Sequence, residues 1–330
     1  MKNKKILVTG GAGYIGSITV QALKEKGFEP IIFDSLVTGH REALDKEKFY
    51  QGDLIKDTEL LDKVFKEEKP EGVVHFAAMS LVGESVQNPQ KYFTNNLFGV
   101  LNLLKVMIDN QVLKIVFSSS AAVYGEPQRI PIEEDDAKNP TSPYGESKLM
   151  IEKILKWYSQ VYGLSAIALR YFNACGAALD GSIGEDHSPE THLIPAAMLA
   201  ALGQKKDFTL FGKDYPTKDK TCIRDYIHVL DLAEAHILAL KSSKPGFSYY
   251  NVGTNCGFSV LEIIQMIKKV SNINFPTPFG PRRAGDPARL IAKADKIKKE
   301  LGWKPKYSDL GTIIKSAWEW HKKHPRGYED

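Results

Sequence analysis

Three side chains in this sequence have the types and the spacing to take a proton from a secondary alcohol. Ser120 closes the run Ser118-Ser119-Ser120, and Tyr144 and Lys148 follow it, four residues apart, which on a helix puts them on one face a turn apart. Oxidising a carbinol carbon means losing the hydroxyl proton while hydride passes to an acceptor, and a phenolate beside the hydroxyl is a suitable base. Free tyrosine, with a pKa of about 10, is protonated at neutral pH; the neighbouring Lys148 ammonium and a positively charged hydride acceptor together favour the phenolate and lower that value. Ser120 is placed to hold the same hydroxyl by a hydrogen bond. The pattern Tyr-x-x-x-Lys occurs once in the chain, about as often as chance gives in so lysine-rich a sequence. The plainer reading is a surface lysine beside a half-buried tyrosine, with serines capping a turn. Position favours the chemical one, because the trio lies in the same half of the chain as a site for the hydride acceptor.

That site is Gly10-Gly11-Ala12-Gly13-Tyr14-Ile15-Gly16, directly after an apolar strand candidate and before a helical pattern. Of Gly10, Gly13 and Gly16, one permits a tight turn, one lets the backbone approach a pyrophosphate and one lets helix and strand pack closely. The N–H groups of the helix start face the anion. Asp34 ends the second strand candidate, 18 residues after Gly16. A carboxylate there accepts hydrogen bonds from an adenosine ribose diol and repels a 2′-phosphate, so NAD is expected in preference to NADP.

The elements that must hold these groups are short apolar runs alternating with helical patterns, the signature of βαβ units in a parallel sheet covered on both faces. Strand candidates are residues 5–9, 30–34, 72–77, 114–119 and 165–171, rich in β-branched and aromatic residues. A helix should start near Tyr14, another cover 58–68, and a long one cover 89–110 with Tyr92, Leu97, Leu101 and Leu104 at helical spacing. Residues 176–190, rich in Gly, Asp, Ser and Pro, read as a surface loop. The division expected is a Rossmann-type doubly wound domain over 1–175 and a smaller mixed α/β substrate domain over 176–330, with 224–252 returning in part to the first.

The whole chain bounds the partners. Its 330 residues are 43% apolar and 25% charged, with a net charge of +4 and no long block of either sign, which suggests neither nucleic acid nor a membrane surface. No run of 18 apolar residues occurs, and the apolar stretch after Lys5 is too short for a secretory signal. Cys175, Cys222 and Cys256 are odd in number and far apart, with no zinc or disulfide spacing, so no metal is expected and a reducing cytoplasm fits. His228, on an apolar stretch, reads as a satisfied core histidine.

Taken together, the glycine loop, His75 to Ala77, Val82 to Gln87, Phe117 to Gly125, Ser142 to Met150, Leu169 to Asn173, Arg224 to Val229 and Pro281-Arg282-Arg283 with Gly285-Asp286 resemble the extended short-chain dehydrogenase family. The likeness runs along essentially the whole chain and is close to the family's UDP-hexose 4-epimerase branch. It implies reversible interconversion of UDP-galactose and UDP-glucose in galactose metabolism, with tightly held NAD and a 4-keto intermediate. It also implies a homodimer, with helices from Pro89 and from Tyr144 pairing across a two-fold axis. The resemblance implies NAD contacts from Gly10, Gly13, Tyr14, Ile15, Gly16, Asp34, Ser35, Leu36, Val37, Thr38, Gly39, Asp53 and Leu54. It adds Phe76, Ala77, Ala78, Met79, Ser80, Asn95, Ser120, Tyr144, Lys148 and Phe172 to that set. For the UDP-sugar it implies Ser120, Tyr144, Asn173, His192, Leu193, Phe211, Arg224, Tyr226, Arg283 and Asp286, and guanidinium forks at Arg224 and Arg283 suit a diphosphate.

Two positions depart from the family pattern. Ser80 stands where some relatives place a lysine near the cofactor pyrophosphate. Leu290 stands where a tyrosine goes with exclusion of N-acetylated sugars and smaller residues with acceptance, which leaves acetamido-sugars open. Dehydratase relatives carry Asp-Glu directly after the strand-end hydroxyl, whereas Ala121-Ala122 follow Ser120 here. Decarboxylases share the oxidation step but need a uronic acid. A nucleotide-binding protein without catalysis should have lost Tyr144 or Lys148, and both are present.

Overall fold

A computed structural model describes residues 4–242, 244–283 and 286–329. Seven strands form one all-parallel sheet: β1 (Lys4–Thr9), β2 (Phe28–Asp34), β3 (Lys48–Gln51), β4 (Gly72–His75), β5 (Lys114–Ser118), β6 (Ser165–Tyr171) and β7 (Gly246–Val252). Their spatial order is β7-β6-β5-β4-β1-β2-β3, so the winding reverses between β1 and β4, where open α/β sheets bind ligands beyond the carboxyl ends of the strands. Parallel strands need crossover helices, which bury both faces and make the strands continuously apolar.

The alternation of side chains shows this. Ile6, Val8, Ile32, Val74, Val116 and Ile167 face one core, packed on α1 (Tyr14–Glu25) and on the helix Val229–Ser242. Leu7, Ile31, Phe33, Val73, Ile115, Phe117 and Ala168 face the other. That second core is covered by α2 (Thr58–Glu68), α3 (Gly99–Asp109) and α4 (Pro143–Tyr162). The five strands expected from sequence are all present, with small differences at their ends. The unexpected members are the edges: β3, whose burial is only partial, and the full length of β7, which pairs Gly246 with Ser165 through Val252 with Tyr171.

The expected helix 89–110 is interrupted. Pro89–Phe93 is α-helical, Thr94–Phe98 is a π-helical turn, and α3 follows. Periodicity cannot show such a turn, because one extra residue per turn leaves the apolar pattern intact on either side. The other half of the molecule has its own core, in which the helices Leu193–Ala201, Val260–Ser271 and Leu310–Lys323 enclose Phe208, Leu210, Tyr226 and Phe275. Among the described residues no helix is long and apolar enough to cross a membrane.

Candidate functional site

The glycine loop leaves β1 and enters α1 at the reversal point of the sheet. Gly10 has φ +73°, and a Cβ on it would stand 2.5 Å from the Ala77 nitrogen; a Cβ on Gly16 would stand 2.1 Å from the Gly10 oxygen. Both are therefore glycine for reasons inside the protein. Gly13 differs: a Cβ there would meet only the Gly10 oxygen, at 3.5 Å, so the constraint at Gly13 lies on the open side of the loop. Gly13 is also the N-cap of α1 and caps it with no side chain, which leaves the helix start to an outside acceptor.

Asp34 closes this cradle. One carboxylate oxygen accepts from Ala12 N and the other from Leu36 N, each at 2.9 Å, and burial pushes its pKa up against those bonds. The loop from Ser35 through Val37 and Thr38 turns at Leu36, where φ is +59°. It presses Gly39 so close to Ala12 that a Cβ would lie 2.9 Å from the Ala12 carbonyl carbon. Asp53 Oδ1 caps the Ile55 amide at 2.8 Å, and Leu54 is buried below it. On the far side of the loop, the amides of Phe76 and Ala77 both donate to Thr9 O. Ala78, Met79 and Ser80 continue from there, with Met79 held at both its N and its O by the Asn96 side chain.

The trio comes together as its spacing predicts. α4 begins with Ser142 capping the Gly145 amide and Pro143 in its first turn, which carries Tyr144 at its start. Tyr144, Lys148 and Glu152 repeat every fourth residue, and all three are buried against the sheet. Lys148 Nζ donates to the Ser118 carbonyl at 2.9 Å and lies 4.9 Å from the Phe117 ring and 5.7 Å from the Tyr144 ring. Burial pulls the Lys148 pKa down to about 7. Ser120 Oγ accepts from Ala122 N at 3.1 Å, in the 3-10 turn Ala121–Tyr124.

The expectation for Tyr144 joins the Lys148 ammonium to a positive nicotinamide, and the polypeptide's own groups bear on the first of these only. Burial pushes the phenol well up, the nearby Tyr171 adds to this, and a hydrogen bond with Ser120 opposes it. Phe172 is buried beside the site, with its amide on Val252 O at 3.3 Å.

Behind these groups lies a buried polar network. Ser119 Oγ donates to Glu152 Oε1 at 2.6 Å, Arg170 grips the same carboxylate through Nε and Nη2, and Arg170 Nη1 reaches the Tyr124 hydroxyl, which donates to Asn251. It ties α4 to β5, β6 and β7, fixing the helix that carries Tyr144 to the strand end that carries Ser120. Sequence reasoning passed over it, although an arginine inside the apolar run 165–171 and a glutamate one turn beyond Lys148 were its signals: charges placed there need partners. Asn96 was missed as well; its amide also bonds Ser147 on α4 at 3.0 Å, from within the π-helical turn that holds Asn95.

Away from this network, Asn173 bonds the Asp225 carbonyl through both its backbone N and its side chain, and its strand pairs with that of Tyr226. Arg224 is buried, donates to the Ile223 carbonyl at 2.7 Å and is ion-paired with Asp286, whose second oxygen accepts from the Tyr215 hydroxyl at 3.1 Å. The Arg283 guanidinium lies 4.4 Å from the ring of the exposed Phe211. Tyr226 is buried in the core of the second half of the molecule, and Leu193 packs against that core from the start of its helix. His192, the N-cap of that helix, holds Nδ1 2.8 Å from Glu185 Oε1. Gly285 lies outside the described residues. His228 is a core histidine whose ring nitrogens meet Ser316 Oγ and the Leu230 amide.

A family model described as GDP-mannose 4,6 dehydratase matches residues 7–315. The UDP-glucose 4-epimerase of Lacticaseibacillus casei is 53% identical over 98% of this chain and 99% of its own. That of Halalkalibacterium halodurans is 54% identical over 98% and 97%. Among solved structures, UDP-glucose 4-epimerase from Bifidobacterium longum in complex with NAD+ and UDP superposes with a TM-score of 0.94 at 40% identity, covering 98% of this chain and all of that one. Coverage and identity at these levels place the chain plainly: it belongs to the UDP-glucose 4-epimerase family.

Proposed function

We propose that this chain interconverts UDP-galactose and UDP-glucose by oxidising and re-reducing C4 of the hexose with bound NAD. The observation that carries the reading is the meeting of a buried Tyr144, Lys148 and Ser120 with a glycine cradle at one end of a parallel sheet. The cradle fits a dinucleotide: the helix start at Gly13 lacks a side-chain cap, the open side of Gly13 admits a pyrophosphate, and the spare lone pairs of Asp34 suit a ribose diol. Relatives with NAD and with UDP in their complexes support the same assignment.

When bound, NAD takes up and returns the C4 hydride. Ser120 holds the O4 hydroxyl, and Tyr144 takes its proton and later gives it back. The buried Lys148 supplies a positive charge near a phenol that burial would otherwise keep protonated. The 4-ketose formed must turn its other face to the site before C4 is reduced. This requires a firm hold on the diphosphate and a loose one on the sugar, and we assign the hold to Arg224, Arg283, Asp286, Asn173, His192, Leu193, Phe211 and Tyr226. Ala121 and Ala122 follow Ser120 in a 3-10 turn with no carboxylate to eliminate water, which separates this chemistry from dehydration.

We assign the NAD-binding half to residues 1–175 with parts of 224–252, and the UDP-sugar half to the remainder. A homodimer is supported by the exposed Met150, Trp157 and Val161 on α4, at helical spacing, with Phe98 and Leu101 also exposed. The free cysteines suit the cytoplasm.

Purified protein incubated with UDP-galactose should form UDP-glucose without added reductant, with release of bound NAD on denaturation. A panel that adds UDP-glucuronic acid and UDP-N-acetylgalactosamine separates decarboxylation and measures the room left by Leu290, which packs with Phe172 in one small core. Absence of bound NAD, or turnover of the uronic acid alone, would overturn the proposal.

A further inference from the structure

The loop that precedes the helix Leu193–Ala201 gathers four potential ligands, Glu185, His187, Glu190 and His192, of which only His192 is also assigned to the diphosphate hold. One donor atom from each lies within 4.8 Å of the others. Glu185 Oε1 is 2.8 Å from His192 Nδ1 and 3.3 Å from His187 Nδ1, while Glu190 is 3.3 Å from His192 Nδ1 and 3.6 Å from His187 Nδ1. Ligand atoms bound at about 2.0–2.1 Å to one tetrahedral ion stand about 3.3–3.4 Å apart, a spacing that these four distances straddle.

A second observation points the same way. His187 Nδ1 is shut off from solvent and completes no hydrogen bond, although two carboxylates stand beside it. Both of those carboxylate side chains are more than nine-tenths buried, at 7% and 5% exposure, so they need positive charge beside them, which protonated imidazoles or a bound cation can supply. Two imidazoles with two carboxylates select a divalent transition ion of the zinc type over magnesium or calcium, which prefer oxygen alone.

We infer that Glu185, His187, Glu190 and His192 form a closed, four-coordinate site for a divalent transition metal ion. The ion is structural, because four protein ligands leave no open position. It pins the loop to the base of α1, where the His187 ring meets the Tyr14 ring edge-on at 6.5 Å.

The test uses the full-length protein with its bound nucleotide, stripped with a chelator and titrated separately with Zn2+ and with Co2+. One equivalent of Co2+ should bind and give the intense visible bands of tetrahedral cobalt, and Zn2+ should displace it and raise Tm. His187→Ala and Glu190→Gln should each weaken Co2+ binding by about 100-fold or more, beyond the ~10–100-fold that outer-shell partners alone are worth, with unchanged circular dichroism in the metal-free state. Failure of the wild-type protein to bind an equivalent of either ion would overturn the inference. So would binding that survives in both variants, or octahedral cobalt spectra.

Discussion

At the residue scale, Tyr144 and Lys148 make opposite demands on the fold. Tyr144→Phe should reduce kcat by about 10³-fold or more, the range of a lost general base, while calorimetric UDP binding stays close to wild type. Lys148 adds a pH dependence. Its pKa in the fold is about 7, against 10.5 for the free side chain. Between those values the unfolded chain holds a proton that the fold has released, so wild-type stability rises with pH across that window and the burial cost is complete below it. Lys148→Met, inactive at every pH, should therefore melt at a higher temperature than wild type at pH 6, and the gap should close towards pH 10.5. A gap independent of pH would show that lost packing, not charge, is responsible. The trio was legible because strand end and helical spacing determine where such residues point. The direction of the Lys148 ammonium was not, since a backbone carbonyl that competes for it has no signature in side-chain spacing.

At the scale of elements, Glu68 at the end of α2 ties three pieces together: it accepts from Lys5 on β1 and from Lys48 and Tyr50 on β3. Burial pushes its pKa up, but the Lys48, Lys5 and Tyr50 bonds outweigh burial and hold it at about 2. A depressed carboxyl contributes stability above its ordinary range that is lost as pH falls through the folded value. Glu68→Gln should cost about 1–3 kcal/mol at pH 7, measured by urea unfolding, and the difference should shrink between pH 4.5 and pH 2. This clamp explains how β3 is held although too short and too weakly apolar to be read from sequence: charge anchors it where burial does not. The strands β1, β2, β4, β5 and β6 were legible because burial on both faces makes them uninterrupted apolar runs. The π-helical turn at Thr94–Phe98 and the network of Glu152 and Arg170 belong to tertiary pairing, which local pattern does not encode.

At the scale of the whole molecule, the exposed stripe on α4 should join two copies. Trp157, 68% exposed, and Val161, 67% exposed, are one turn apart, and a Trp157→Glu, Val161→Lys double variant should elute as a monomer in light-scattering chromatography while retaining its bound nucleotide. A dimer that persists in that variant would move the interface elsewhere. The cluster of Arg224, Tyr215 and Asp286 was less legible than either core, since it joins Asp286 to residues far from it in sequence. Arg224→Ala should raise KM for UDP-galactose about 10-fold or more, as loss of a charge-assisted contact does; an unchanged KM would remove it from the diphosphate hold. The sheet also has a temporal side. Its seventh strand, Gly246–Val252, closes the edge of β6, yet it is synthesised long after β6 has left the ribosome. Throughout that interval the nascent chain carries an unpaired, strongly apolar strand edge, the form most open to wrong partners. Translation speed and chaperone capture over this stretch thus bear on the yield of native protein, and a polypeptide stopped at Cys175 should aggregate.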